Sequence, residues 1–288
     1  MEPTLNDSLF LCQKPIYHSM FVEGFSIDAK YQPLVHAALS SRLQVGETRT
    51  VKIELGGELF DVKLTNQYFN REQHPEHKEE IMRFSYSKTS SFALKMQQLF
   101  PDAYALLHAE YLLPKEQRRR KLTLPEGWND SIVLYATPIP DVFAIECYWT
   151  AEHKQMEAAI QQMTEQEYEL IDAKDDTAGI VVKTALQKVR HLDRSIGNSL
   201  KKLYDYRCQV TGEKIGDEYG GSVIEVHHID YFTRSLNNDS TNIIILSPNF
   251  HRIIHKNNPV FNRKDLTFEF PNGVVEKLKL DKHLKANQ

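Results

Sequence analysis

Five residues in the last third of the chain leave few ways to fold it. A run of β-forming residues, 222–229, ends on His227-His228, a polar loop carrying Asn242 and an apolar run follow, and then come His251 and His255. Residues four apart share a helix face, so His251 and His255 can offer two imidazoles to one metal ion. Neighbours on a strand point to opposite faces, so His227 and His228 take different tasks. With His227 turned toward the helix, three nitrogens make an open-sided site of the catalytic type, and His228 is left to activate water. Neutral imidazole accepts a proton near pH 7. The Asn242 amide both donates and accepts, which suits a brace on the loop beside the base.

This order, His-His, Asn, His and a further His one helical turn on, resembles the HNH, or ββα-metal, nucleases. Its spacing is similar to that of colicin-type nuclease domains and HNH restriction enzymes. The resemblance covers about the last third of the chain. It implies His227, His251 and His255 as metal ligands, His228 as general base and Asn242 as the positioning asparagine. One divalent ion per site is implied. All-histidine ligation leans toward Mn, Ni, Co or Zn, yet Mg is far more available, so Mg or Mn is the expected working ion. A common version of the family frames the site with two CxxC pairs that hold a structural zinc. Here the four places are Cys208, Thr211, Ser247 and Phe250, and one thiolate cannot make a closed four-ligand site, so no structural zinc is expected. Glu225, two before His227, shares its strand face and is a candidate to support a ligand from behind.

Charge is divided unevenly along the chain. From Thr177 onward there are 17 Lys and Arg against 12 Asp and Glu, and before it 18 against 27, so the histidine-bearing end is the basic one. Association with a polyanion follows, and Lys201, Lys202 and Arg207 are placed to hold a duplex backbone near the site entrance. Three cysteines without paired spacing fit a reducing cytoplasm. No secretory leader and no membrane-spanning stretch is expected.

The expected fold is α+β. An N-terminal mixed α/β domain with antiparallel hairpins, residues 1–172, is joined by a linker, 173–181, to a C-terminal ββα-metal (HNH) domain, 182–288. Apolar residues at near-helical spacing predict a helix over 26–43, and residues 48–55 and 58–65 alternate as a hairpin about Gly56-Gly57. Between 66 and 88, Arg71 and Arg83 interleave with aromatics in the manner of a base-stacking surface. Helices are expected through 92–99 and 103–113, strands over 131–137 and 141–149, and a helix over 151–170. The basic run Arg118, Arg119 and Arg120 either clamps phosphates or is a solvated loop. A helix over 182–204 is expected to break near Gly197, and a hairpin signal surrounds 271–273.

The resulting expectation is a metal-dependent DNA endonuclease, acting on double-stranded DNA in restriction or antiviral defence, with the N-terminal domain reading sequence or base modification. That assignment of role rests on family analogy. Two alternatives stand beside it: a nonspecific toxin-like effector governed by a protein partner, and a metal-stabilised DNA-binding module without catalysis. Cutting both strands with one such site per chain calls for a homodimer on DNA.

Overall fold

The computed structural model describes residues 8–68, 80–160, 180–231, 235, 237 and 239–284. The chain is α+β and forms two compact units, Met1–Gln155 and Met156–Gln288. Most of the expected 173–181 linker lies outside the described residues, as does Arg71. Among the described residues no helix is long and apolar enough to cross a membrane.

The N-terminal unit is built on a seven-stranded sheet in the order β1 (Leu9–Pro15), β6 (Ser131–Ala136), β7 (Val142–Tyr148), β3 (Thr48–Leu55), β4 (Glu58–Tyr68), β5 (Glu80–Ser85), β2 (Gly24–Ser26). All neighbours pair antiparallel except β3 with β7. Gly56 and Gly57, with φ of 61° and 82°, make the two-residue turn between β3 and β4, a conformation that costs glycine least. Every residue of β6 is buried, so both faces of the sheet are covered there.

The helix expected over 26–43 is much shorter. Ser26 ends β2, a 3-10 turn spans Ala29–Tyr31, and only α1 (Gln32–Ala38) is α-helical. The reason is long-range pairing. Phe25 faces Phe84 across β2 and β5, and at the other end the Ala38 carbonyl accepts from Asp141 N at 2.9 Å, which draws the chain out at an extended Leu39. The helices α2 (Ser91–Leu99) and α3 (Pro101–Tyr111) follow the local signals. Ser90 Oγ accepts from Ala93 N at 3.2 Å to cap α2, and Pro101 opens α3. Helix α4 (Thr150–Ile160) runs across the division between the units.

The C-terminal unit contains α5 (Ile180–Leu203), β8 (Glu225–His228), β9 (Ile243–Leu246) and α6 (Pro248–Asn257). A separate three-stranded antiparallel sheet follows: β10 (Val260–Asn262), β11 (Thr267–Glu269) and β12 (Val275–Lys277). The 271–273 turn therefore joins β11 to β12 and does not extend the β8–β9 pair. Helix α5 is unbroken at Gly197. A Cβ there would sit 2.6 Å from Val226 Cγ2, so the glycine serves a close approach of α5 to β8 rather than a kink.

Buried polar links tie this unit together. Gln209 bonds Ile245 through both its backbone N (2.8 Å) and its side-chain Oε1 (2.9 Å), and its carbonyl accepts from Lys279 N at 2.8 Å. Tyr204 Oη lies 2.6 Å from His283 Nδ1, and the other nitrogen of that buried imidazole is 2.9 Å from the Ile243 carbonyl. The segment after β12 is thereby pinned to the start of β9.

Candidate functional site

Strands β8 and β9 pair with His227 opposite Ile244 and His228 opposite Ile243. All of β9 is buried, which fixes the height of its partner. Ser247 then accepts from Phe250 N at 3.4 Å to cap α6, with Pro248 in the first turn, and the helix sets His251 and His255 one turn apart. Cys208, another of the four places singled out in the sequence, is a buried free thiol.

The imidazoles of His227, His251 and His255 converge. One nitrogen from each lies within 4.8 Å of the others, and the two Nε2 atoms on α6 are 3.0 Å apart. The rings meet edge to face, with centroids 5.1 Å and 4.9 Å from His227 to His251 and His255, and 4.5 Å between the latter two. A metal–imidazole bond of about 2.0–2.1 Å lets one ion bridge nitrogens on this scale.

What surrounds each ring decides which nitrogen faces inward. His251 Nδ1 is 2.6 Å from Glu225 Oε2, and a carboxylate can only accept, so Nδ1 carries the proton and Nε2 presents a lone pair. Tyr231 Oη donates to Asn258 Oδ1 at 3.2 Å and lies 3.4 Å from His255 Nδ1, a contact compatible with the His255 proton on Nδ1. The Tyr231 ring also stacks on His255, with centroids 5.6 Å apart and planes 11° apart. The two Nε2 atoms on α6 lie 3.0 Å apart, and each offers a lone pair to a cation when its ring is protonated on Nδ1. His227 is 3% exposed, and among the described residues its Nδ1 has no hydrogen-bond partner. Burial first, then the neighbouring imidazoles, pushes its pKa down to about 2, so it stays neutral and able to ligate. A divalent cation therefore fits the residues present.

His228 lies on the other face of β8. Its Nε2 is 3.9 Å from Asp193 Oδ1 on α5, and both side chains are largely buried. Asn242 is fully buried and holds the loop that follows His228: its Oδ1 accepts from Asp230 N at 2.9 Å, and its Nδ2 donates to the carbonyls of Asp230 (2.8 Å) and Asn237 (3.0 Å). Arg263, from the turn between β10 and β11, adds bonds to Asn242 Oδ1 at 3.0 Å and Asp230 Oδ2 at 2.5 Å.

The cations singled out in the sequence fall into different situations. Lys201 is half-buried on α5, where desolvation lowers its pKa against the pull of Glu225. Lys202 is exposed, and Arg207 is 3.6 Å from Asp205 and donates to the Gly212 carbonyl at 3.3 Å. In the N-terminal unit, Arg83 is 3.6 Å from Glu23. Arg118 lies 4.8 Å over the Tyr111 ring and bonds the Leu113 carbonyl, and Arg119 grips both oxygens of Glu110 at 2.8 and 2.5 Å. Arg120 is exposed. Two of these three arginines thus spend donors on their own unit.

Asp193, Tyr231 and Arg263 escape a reading of the sequence. Asp193 lies 35 positions before His228 on another element, and Arg263 lies 21 after Asn242, so no local spacing announces them. Tyr231 offers a weak signal, an aromatic three residues past the His-His pair. No protein-family model, curated protein or solved structure matches this chain.

Proposed function

We propose that the C-terminal unit is a metal-dependent DNA endonuclease of the ββα-metal, HNH type. The observation that carries this reading is the convergence of His227, His251 and His255, one nitrogen of each within 4.8 Å of the others, with His228 on the opposite face of the strand that bears His227. His227, His251 and His255 hold one divalent ion, Mg or Mn in use. Bound there, the ion supplies Lewis acidity toward the scissile phosphate and the departing oxygen. His228 takes the proton from the attacking water, and Asp193 beside it favours the imidazolium so formed. Glu225 and Tyr231 hold the α6 ligands in one tautomer, and Asn242 keeps the loop after His228 from drifting. Lys202 and Arg207 lie on the basic side of the chain and suit the duplex backbone.

The N-terminal unit reads DNA sequence or base modification in this proposal, which makes the protein a cytoplasmic restriction or antiviral enzyme acting as a homodimer on DNA. The test is cleavage of matched modified and unmodified phage or plasmid DNA with Mg or Mn, beside His228→Ala. Discrete fragments from one substrate, lost in the variant, are expected. A smear from both substrates removes the reader role. Full cleavage by pure His228→Ala removes the assigned base.

A further inference from the structure

A cavity of about 490 Å³ adjoins the histidine cluster in the C-terminal unit, with His227, Tyr231, Ile254, Asn258, Phe261 and Phe268 among its walls. It falls in the roughly 300–1,000 Å³ range of sites that enclose a small organic group. Its walls divide by chemistry. Phe268 and Ile254 are 2% and 3% exposed and form a fixed apolar side, and Phe261 leans on Phe268 with ring centroids 4.8 Å apart. Opposite in character are the Tyr231 hydroxyl and the Asn258 amide, already bonded to each other at 3.2 Å. Because Asn258 Oδ1 accepts that bond, its Nδ2 remains a donor.

His227 and Tyr231 each belong to both places. His227 is a member of the cluster and a wall of the cavity; Tyr231 stacks on His255 and is also a wall. An occupant of the cavity is therefore separated from the metal ligands by no more than one ring. Flat aromatic walls, a polar edge offering both donor and acceptor, and adjacency to a phosphodiester-cutting centre describe the surroundings that enzymes give to a base taken out of the stack.

We propose that this cavity receives one unstacked nucleobase of the strand being cut, from a nucleotide next to the scissile phosphate. The proposal rests on the nuclease reading above and deepens it: the substrate is a strand locally opened at the site rather than an undistorted duplex.

The experiment is photocrosslinking of the manganese-loaded His228→Ala protein to oligonucleotides in which 5-iodo-2′-deoxyuridine replaces thymidine, single-stranded and duplex, with peptides mapped by mass spectrometry. Crosslinks at Tyr231 or Phe261 are expected, their yield falling about tenfold with Phe261→Ala, the scale of one lost base–aromatic stack. Asn258→Gly is the second variant. It removes the amide at a residue whose φ of 44° glycine accepts freely, and it is also expected to lower the yield. Manganese stoichiometry, measured on each variant, separates loss of the cavity from loss of the fold. If the wild-type chain cuts DNA but crosslinks map only elsewhere, or their yield is unchanged in both variants, the base pocket is wrong and the nuclease stands. If the wild-type chain cuts no DNA and binds no manganese, the nuclease reading falls and takes the pocket with it.

Discussion

In the N-terminal unit His18 Nε2 lies 3.3 Å from His108 Nδ1, and the two rings are nearly parallel, 9° apart, with Tyr111 stacked 4.3 Å from His18 at 15°. In the C-terminal unit three imidazoles meet edge to face at 77–86°, and the two α6 rings, with nitrogens 3.0 Å apart, each have an oxygen beside the outer nitrogen. Both are close histidine contacts, yet their chemistry differs. The first is satisfied by one proton shared along a hydrogen bond and by stacking, and it asks for nothing further. In the second, the outward Nδ1 atoms of the α6 pair lie against Glu225 and Tyr231, and a third, buried imidazole closes on their inward nitrogens. What separates the two places is not the distance between two histidines but the third imidazole that converges on the α6 pair.

That contrast can be broken most severely at the ligands themselves. His255→Ala leaves two imidazoles in place of three and is expected to abolish stoichiometric manganese binding in a calorimetric titration. His228→Ala, on the other strand face, keeps the metal and loses cleavage by about 10²–10⁴-fold, the usual range for a general base. Equal loss of metal in both variants would dissolve the distinction between the two faces of β8. A smaller effect comes from behind the ligand. Glu225→Gln keeps the shape but weakens the bond that fixes the His251 tautomer, and metal affinity is expected to fall about 10–100-fold. The matching change in the N-terminal pair, His108→Gln, should leave manganese affinity untouched; any weakening there would mean that the parallel pair also recruits metal.

Packing offers a third measure. Gly197→Ala forces a Cβ against Val226 and is expected to cost about 1–3 kcal/mol in denaturant unfolding. Val226→Ala in the same chain should return part of that loss; no recovery would mean that α5 and β8 do not bear on one another as described. The smallest effect is a slope. His227 titrates at about 2 in the folded chain against 6.5 in the open one, so between those values the unfolded state holds more protons. Stability of the metal-free protein is therefore full above about pH 6.5 and declines as pH falls through that window. His227→Phe should flatten the decline, and an unchanged slope in urea titrations would show that other groups set it.

Much of the architecture could be read from local pattern. The Gly56-Gly57 hairpin, the Ser90 cap and Pro101 helix start, and the strand ending in His227-His228 are all written within a few residues, because turn conformation, capping and alternation are short-range effects. The helix expected over 26–43 was not legible, since its apolar spacing was overruled by pairing with β5 and by the reach of Asp141. Gly197 illustrates the same limit. A glycine inside a helical pattern reads as a break, and only the distance to Val226 shows that it is an accommodation.

At the candidate site the division follows the same physics. The i, i+4 spacing places His251 and His255 on one face of any helix they occupy, and strand alternation separates His227 from His228, so which imidazoles can meet was settled by covalent geometry alone. Which nitrogen of each ring turns inward was not. That depends on Glu225, which the strand spacing already marked as a support without saying for which ring, and on Tyr231, which reaches His255 from 24 positions away. Contacts of this kind are a property of folded neighbours, which no spacing along the chain announces.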